Sequence, residues 1–250
     1  HAAAMKHVHL AEYNPSECIK TNINGAENVI AAAIKCGVKD VVALSTDKAC
    51  APINLYGATK LTSDKLFIAA NNIKGSREVK FSVVRYGNVM GSNGSVMPFF
   101  LNKRKEGVLP ITNKKMTRFN ISLQDGCQMV FDAIEKAWGG ELFVPKIPSV
   151  KITDLAKAMA PNLKTKIVGI RPGEKIHELM CPNEYHHLTL EFKNHFKIIP
   201  SPDNNDTKKN FLIDNSGEKG KKVPSNFEYS SGLNKNFLSI EQINKINETL

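Results

Sequence analysis

The first 90 residues alternate between two hydrophobic patterns, one with helical spacing and one made of short continuous apolar runs. Between 15 and 37 the apolar residues fall on one helical face, with Ser16 predicted as the N-cap and Gly37 as the stop. The predicted order is a helix over 15–37, a strand over 40–45, a helix over 55–72 and a strand over 79–87. Because both strands are almost wholly apolar, this alternation indicates a parallel sheet with crossover helices.

The same alternation returns later, with a predicted helix over 123–140 and a predicted strand over 141–145. The stretch between, 88–122, is rich in Gly, Pro and Lys, which indicates an insertion over the end of the sheet. After Pro145 the segments SVKITDLAKAMAP and KTKIVGI predict a capped helix and a short strand. From about 200 to 231 the composition is polar and predicts weak structure.

Composition narrows the class of protein. The chain is 42% hydrophobic and 23% charged, with no apolar run of 18 residues and no leader-like start. We therefore expect a cytoplasmic protein that does not associate with a membrane. The five cysteines are scattered without a CxxC pair, and His186–His187 has no further ligand at metal spacing. We predict neither a disulfide framework nor a metal site.

The net charge of +10 favours anionic partners, which could be nucleic acid or a phosphate-bearing small molecule. The chain shows no RNP-like aromatic pattern and no zinc-finger spacing. A solvated basic surface therefore accounts for the charge better than nucleic-acid binding, and we predict no nucleic-acid partner.

Polar side chains crowd the segment ALSTDKACAPINLYGATK, residues 43–60. Residues 45–48 directly follow a predicted strand, at the edge where ligands of open α/β sheets bind. Tyr56 and Lys60 lie four residues apart on the next helix and therefore share a face. An ammonium group beside the phenol would lower the pKa of Tyr56 and make it a base for a substrate hydroxyl. The alternative is an exposed pair on an ordinary helix.

Several motifs in order carry a resemblance to a known family. STDKACAPINLYGATK, RYGNVMGSNGSVMPFF, PITNKKMTRF, KIVGIRPGEKIHELM and FEYSS resemble the extended short-chain dehydrogenase/reductase family. Within it they resemble the inverting UDP-N-acetylglucosamine 4,6-dehydratases of pseudaminic acid synthesis, over residues 1 to about 231. Asp47–Lys48 stands where the dTDP-glucose type carries Asp-Glu, and Tyr56 stands where the membrane-bound retaining relatives typically carry Met.

The resemblance implies an α/β fold, the C-terminal part of a Rossmann-like doubly wound parallel sheet with a smaller α/β substrate-binding domain. Residues 1–90 and 123–145 would form a partial NAD(P)-binding domain, and residues 91–122 and 146–250 the substrate domain with its polar C-terminal region. No GxxGxxG loop opens a βαβ unit, so the family's first strand-helix units would be missing. We expect the chain by itself to be inactive, and the full-length protein to be a homo-oligomer.

The resemblance also implies a reaction, the conversion of UDP-N-acetylglucosamine to a 4-keto-6-deoxy sugar with inversion at C5. NADP or NAD would be tightly bound and regenerated in each turnover. Tyr56, assisted by Lys60, would take the proton of the sugar 4-hydroxyl. Lys48 would remove the C5 proton, provided that its surroundings hold it neutral, and Asp47 would protonate the departing 6-hydroxyl.

Further site residues are carried over by matching motifs. The cofactor contacts implied are Ala2, Ala3, Ser45, Tyr56, Lys60, Tyr86 and Asn88. The substrate contacts implied are Asn88, Val96, Ile111, Thr112, Arg118, Arg171 and Glu174. Among these, Arg118 and Arg171 would clamp the diphosphate, because a guanidinium bonds phosphate oxygens in pairs. Glu174 would hold the ribose. Val96, Ile111 and Thr112 would lie near the uracil. The turn GSNGS at 91–95 is predicted to be flexible.

Two alternative functions stay open. A nucleotide-sugar 4-epimerase on the same scaffold would need Tyr56 and Lys60 but not the Asp47–Lys48 pair. A non-enzymatic module that binds nucleic acid through its basic surface would need neither pair, and its binding would depend steeply on salt.

Overall fold

The computed structural model describes residues 1–92, 96–103, 107–201 and 210–247. The helices are α1 (Val8–Tyr13), α2 (Pro15–Ile19), α3 (Gly25–Cys36), α4 (Leu55–Ile73), α5 (Val96–Lys103), α6 (Leu123–Lys136), α7 (Ile152–Met159) and α8 (Ile240–Asn247). The strands are β1 (Asp40–Thr46), β2 (Lys80–Tyr86), β3 (Asn88–Val89), β4 (Val108–Ile111), β5 (Thr117–Ile121), β6 (Leu142–Pro145), β7 (Ser149–Lys151), β8 (Lys164–Ile167), β9 (Leu179–Cys181), β10 (Thr189–Glu191), β11 (His195–Ile198), β12 (Lys221–Lys222) and β13 (Tyr229–Ser230).

The main sheet has six strands in the order β1-β2-β6-β11-β10-β12. Strands β1, β2 and β6 are parallel, and β11, β10 and β12 extend the sheet in antiparallel fashion. His1 lies beside β1, since its amino group donates to Val42 O at 2.7 Å and its carbonyl accepts from Leu44 N at 2.9 Å. The parallel part, with its crossover helices, confirms the predicted Rossmann-like fold class.

Helices cover both faces of the parallel strands. On one face Ala43 and Val83 pack with Phe67 of α4, and on the other Val42 and Val84 pack with residues of α6. Alternate side chains of a strand point to opposite faces, so both apolar sets are buried. This explains why the predicted strands are continuous apolar runs rather than alternating ones.

The helix predicted over 15–37 differs from the structure at its start. The helix begins at Pro15 with Asn14 at the N-cap, so Ser16 is not the cap. Proline suits the first helical position because its ring presets φ and it has no N–H to satisfy. The segment continues through a π-helical turn, Lys20–Asn24, into α3, and it ends at Gly37 with φ of +70°.

A second hydrophobic cluster lies beside the sheet, built from α5, β4, α7 and α8. It agrees with a smaller unit around residues 91–122, but the prediction that all of 146–250 belongs to that unit is wrong. Strand β11 pairs with β6, and β10 and β12 continue from it, so these strands belong to the main sheet. Backbone hydrogen bonding along the edge of β6 decides this placement, and the hydrophobic pattern does not encode it.

The polar stretch predicted as weakly structured, 200–231, contains β12, β13 and a turn organised by Asp214. The Asp214 carboxylate accepts hydrogen bonds from Ser216 and from the Glu218 backbone N–H. Residues 202–209 of this stretch, and 93–95 of the GSNGS turn, lie outside the described residues. Within the described part of the chain, no helix is both long and apolar enough to cross a membrane.

A buried ionic network ties β1, α4 and β2 together. Asp64 Oδ2 accepts from Ser45 Oγ at 2.6 Å and from Arg85 Nη2 at 3.0 Å. Arg85 also donates to Met180 O at 3.0 Å, and all three side chains are buried. The charges are tolerated because they face each other and are hydrogen-bonded. Ser45 therefore serves this network, and its predicted contact with a cofactor is untested.

Loss of this network should destabilise the protein strongly. Replacing Asp64 with Ala would leave the Arg85 guanidinium buried and uncompensated, so we expect a loss of about 3–5 kcal/mol in the free energy of unfolding. Urea denaturation would measure it. Glu27→Ala, on an exposed position of α3, is the control and should change stability by no more than about 0.5 kcal/mol. Equal small losses for both variants would contradict the assignment.

Candidate active site

The carboxyl end of β1 leads directly into a short 3-10 turn, Asp47–Ala49. Thr46 caps the turn, since its hydroxyl accepts from Lys48 N at 3.3 Å and donates to Asp47 Oδ1 at 3.0 Å. Asp47 is fully buried, and Lys48 Nζ lies 3.1 Å from Asp47 Oδ1. The acid and the amine predicted from neighbouring positions are thus in direct contact.

The first turn of α4 packs tightly on this 3-10 turn. Gly57 follows Tyr56, and a Cβ at Gly57 would overlap the carbonyl oxygen of Lys48. Asn54 caps α4, accepting from Gly57 N at 2.7 Å, and its amide donates to Gly173 O at 2.9 Å. The glycine in LYGATK therefore allows Tyr56 and Lys48 to be placed against each other.

Lys48 faces a second buried carboxylate from a distant part of the chain. Its Nζ lies 3.4 Å from Glu178 Oε1, and Arg118 Nε lies 3.7 Å from the same oxygen. Burial would lower the pKa of Lys48, but the Asp47 and Glu178 carboxylates outweigh burial and raise it. The condition that the surroundings hold Lys48 neutral is therefore not met in the site without ligand, and its role as base stays a prediction.

Tyr56 also differs from the prediction. Burial raises the pKa of its phenol, opposed first by the charge of Lys48 and then by a hydrogen bond with the Thr46 hydroxyl. The expectation that Lys60 lowers the pKa of Tyr56 is wrong, because the opposing cation is Lys48 and the net shift is upward. Lys60 is itself buried, and burial lowers the pKa of its amine against the attraction of Asp64.

A cleft of about 890 Å³ opens beside Lys48. It brings together, from separate parts of the chain, most of the residues predicted to hold the substrate. The predicted residues that line it are Lys48, Asn88, Val96, Thr112, Arg118, Arg171 and Glu174. Residues predicted from separate sequence motifs therefore line one cleft.

Ile111 is the exception among the predicted substrate contacts. Its side chain is 2% exposed and packs in the second hydrophobic cluster rather than in the cleft. Side chains alternate along β4, so Leu109 and Ile111 point into the core while Pro110 and Thr112 reach the cleft. The side chain of Ile111 is therefore not available to the cleft, and the predicted contact of this residue with the substrate stays a prediction.

The two arginines differ in how they are held. Arg118 is buried, and its Nη1 donates to Thr117 O at 2.7 Å and to Ile176 O at 3.1 Å. Arg171 is largely exposed, lies 5.7 Å from the ring of Phe99, and approaches Glu174 at only 3.9 Å. Arg118 is thus fixed in place, and Arg171 is free to reorient toward an anion.

The predicted cofactor contacts lie along the carboxyl ends of β1 and β2. Thr46 and Tyr86 are opposite each other in the register, and Asn88 follows in β3. Ala2 and Ala3 are exposed and directly follow His1, which is hydrogen-bonded to β1.

Glu178 is the residue of the site that the sequence analysis missed. It is 2% exposed, lines the cleft and immediately precedes β9. One signal could have found it, since an acid followed by the apolar run LMC marks a carboxylate at a strand boundary. Its contact with Lys48, which lies 130 positions earlier in the chain, is formed only in the folded structure.

Metal ligation is not indicated where the structure can be described. No group of three or more His, Cys, Asp or Glu side chains among those residues could hold a metal ion. The rings of His186 and His187 contact each other at 5.6 Å, and His186 Nδ1 lies 2.8 Å from Asn183 O. The predicted absence of a metal stays a prediction.

The parallel sheet and the Tyr56–Lys60 helix at its carboxyl edge define a Rossmann-type protein. The chain belongs to the family described as polysaccharide biosynthesis protein, which matches residues 1–200.

Similar proteins include a UDP-N-acetylglucosamine 4,6-dehydratase (inverting) from Campylobacter jejuni, 58% identical over 98% of this chain and 74% of the relative. A UDP-glucose 4-epimerase from Rickettsia akari is 40% identical over the whole of this chain and 73% of the relative. This chain therefore spans about three quarters of the length of these relatives.

Among solved structures, Pen from Bacillus thuringiensis is 38% identical and superposes with a TM-score of 0.84 over 99% of this chain and 74% of that one. The dTDP-glucose 4,6-dehydratase DesIV from Streptomyces venezuelae, solved with NAD and TYD bound, shares the fold at 20% identity. Its TM-score is 0.62 over 70% of this chain and 61% of that one.

The tight packing at Gly57 gives a direct test of the site geometry. Gly57→Ala should push the Lys48 backbone away from α4, destabilise the protein by about 1–3 kcal/mol, and lower any activity that needs Lys48 beside Tyr56. Gly25→Ala is the matched control, because a Cβ there meets only Lys20 O at 3.6 Å. In that helix alanine should stabilise by up to about 1 kcal/mol. Thermal unfolding of both variants decides; a neutral Gly57→Ala would contradict the packing.

Proposed function

We propose that this chain is a nucleotide-sugar dehydratase that converts UDP-N-acetylglucosamine to a 4-keto-6-deoxy sugar and inverts C5. The observation that carries the proposal is the contact between the buried Asp47 and Lys48, because Lys48 lines a cleft together with Arg118 and Arg171. An acid and an amine side by side suit elimination of water, and two guanidinium groups suit a diphosphate. The name of the Campylobacter relative supports the same reaction.

A nicotinamide dinucleotide supplies, when bound, an acceptor and later a donor of hydride for the sugar. The residues present fit it: Tyr56 and Lys60 lie on one helix that packs against β1 and the turn that follows it, and Ala2 and Ala3 are exposed. Ser45, Tyr86 and Asn88 are the further contacts we predict. The NAD in the DesIV structure supports this class of cofactor, and NADP stays an equal candidate.

The proton steps can be assigned to this chain's own residues. Burial raises the pKa of the Tyr56 phenol, so Tyr56 must first release its own proton to solvent. It then takes the proton of the sugar 4-hydroxyl as that carbon is oxidised, and the resulting ketone makes the C5 hydrogen acidic. Lys48 is protonated at rest, so it must first lose a proton, and the Asp47 carboxylate in contact with it can accept one. That single transfer produces an amine base and a carboxylic acid together.

The two groups then complete the elimination. Lys48 takes the C5 proton, and Asp47 returns its proton to the 6-hydroxyl, which leaves as water. Once hydride has returned to C6 from the bound nicotinamide, protonation of C5 from the opposite face would invert the centre, and this proton balances the one removed from the 4-hydroxyl. Lys48 gains one proton and Asp47 loses one, so the pair ends the elimination in its starting state, with Lys48 protonated and Asp47 ionised.

The rest of the cleft suits the nucleotide. Arg118 would hold the diphosphate from a fixed position, and Arg171 would close on it from the exposed rim. Glu174, which has a buried carboxylate oxygen without a partner among the described residues, would accept from the ribose hydroxyls. Val96 and Thr112 would lie near the uracil. A homo-oligomer in the cytoplasm stays the expected setting.

A nucleotide-sugar 4-epimerase is the second candidate, favoured by the similarity to the Rickettsia enzyme. Epimerisation needs oxidation and reduction at C4 alone, so it has no task for the Asp47–Lys48 pair. An assay of the full-length protein that separates loss of water from formation of an epimer distinguishes the two functions. We expect loss of water.

Replacing Lys48 or Tyr56 should stop the reaction at different stages. In the full-length protein, Lys48→Ala should still oxidise the sugar but lose water at least about 100-fold more slowly, because the base at C5 is gone. Tyr56→Phe should already slow the oxidation by about that factor. NMR of the product and the absorbance of the reduced nicotinamide report the two stages. Near wild-type water loss in Lys48→Ala would overturn the assignment.

Arg171 should contribute to affinity rather than to the chemical steps. Charge-assisted hydrogen bonds are worth about 1.5–3 kcal/mol, so Arg171→Ala should weaken UDP binding by about 10- to 100-fold. Calorimetric titration with UDP measures this directly. Lys166→Ala removes the same charge from an exposed position of β8 and should change affinity by less than about twofold. Equal effects of both variants would show that only overall charge matters.

A further inference from the structure

Four ionisable groups face the Lys48 ammonium from the elements packed around it. Asp47 belongs to the same 3-10 turn, Tyr56 to α4, Arg118 to β5, and Glu178 to the residue before β9. Two of the four are carboxylates, and both lie within 3.4 Å of Lys48 Nζ. The proposed reaction gives Asp47 a task as acid but leaves Glu178 without one.

Glu178 is held firmly in place. Its backbone N–H donates to Ser231 Oγ at 2.9 Å, and its carbonyl accepts from Ser231 N at 2.8 Å. The Ser231 hydroxyl lies 2.8 Å from Thr117 Oγ1, which in turn lies 2.8 Å from His177 Nδ1. These bonds fix the Glu178 backbone beside Lys48, and the 3.4 Å contact of Oε1 with Lys48 Nζ then sets the direction of the carboxylate.

The carboxylate of Glu178 is only partly used by the protein. Oε1 meets Lys48 and Arg118, whereas Oε2 is buried and has no hydrogen-bond partner among the described residues. Buried carboxylates with a purely structural task are normally saturated with hydrogen bonds. Glu141, for comparison, uses both of its oxygens on the backbone N–H groups of Trp138 and Gly139.

We propose that Glu178 is a positioning residue that acts through Lys48, holding its amine at the cleft and keeping it protonated until the elimination begins. The role of Lys48 as a base rests on the proposed function. The ion pair between Glu178 and Lys48 does not depend on it.

The physical reason is the balance of charge around the amine. With Asp47 alone, one carboxylate would oppose the cost of burying Lys48, and Arg118 would repel it. Glu178 adds the second carboxylate, and its Oε1 contacts both Lys48 and Arg118, which offsets the repulsion between the two cations. When Asp47 accepts the proton of Lys48, Glu178 still holds the neutral amine in place. Removal of the Glu178 charge should therefore make Lys48 easier to deprotonate.

The test measures protonation of Lys48 without requiring turnover. The full-length protein is treated with limiting acetic anhydride at a series of pH values, and acetylation of Lys48 is quantified by peptide mass spectrometry. An opposite charge at this range shifts an amine by about 1–3 pH units, so E178Q should move the midpoint of Lys48 acetylation down by at least about one unit. Glu178→Asp should move it by less, because its charge is kept.

Glu12→Gln is the matched control, since Glu12 lines the same cleft but bonds to Leu55 N and not to Lys48. It should leave the Lys48 midpoint unchanged. The limb of the pH profile of kcat/KM that belongs to Lys48 should move with the acetylation midpoint in E178Q. A purely structural role of Glu178 would lower the rate at every pH without moving this limb.

The outcomes separate the two claims. An unchanged Lys48 midpoint in a folded E178Q protein overturns the inference, even if the protein is a dehydratase. If E178Q lowers the Lys48 midpoint but the wild-type full-length protein releases no water from the sugar, the inference is supported and the proposed function is overturned. If E178Q does not fold, Glu178→Asp decides alone: a downward shift supports the positioning role, and an unchanged or raised midpoint overturns it.

Discussion

The site depends on the half-buried Lys48, which lies between two buried carboxylates. An ammonium group in this place would be costly alone, and either carboxylate would be costly without it. The contacts of 3.1 Å to Asp47 and 3.4 Å to Glu178 therefore require each other. They also join a 3-10 turn at the end of β1 to a segment more than a hundred residues later, so the sheet and the cleft cannot be assembled independently of the ionic cluster.

Other long-range contacts serve the same arrangement. Asn54 caps α4 and also holds Gly173, so the helix that carries Tyr56 is bonded to the loop that carries Arg171 and Glu174. Lys175 Nζ donates to Cys50 O at 2.6 Å and secures the chain just after the 3-10 turn. These bonds join the segment around Cys50 and Asn54 to the loop at 171–175. A displacement of either segment would therefore move residues that line the cleft.

The local elements could be predicted from the sequence because their signals are local. Apolar runs and helical spacing predict β1, β2, α4 and α6 to within a few residues, and the capping role of Asn54 follows the usual preference for Asn. Failures occurred where one signal competed with another. Pro15 displaced Ser16 as the start of a helix, and strand alternation turned Ile111 away from the cleft that Thr112 enters.

The sequence by itself determined the secondary structure of the parallel part and the residue types of the site: Asp47 and Lys48 after a strand, Tyr56 and Lys60 on one helical face, and arginines in two later motifs. Only the tertiary structure decided the charges. It placed Glu178 beside Lys48, where its carboxylate joins Asp47 in raising the pKa of the amine against burial and the charge of Arg118. It also made Lys48 instead of Lys60 the cation that acts on Tyr56. The reason is physical: periodicity is a property of neighbouring residues, whereas a pKa depends on burial and on charges that only folding brings within a few ångströms.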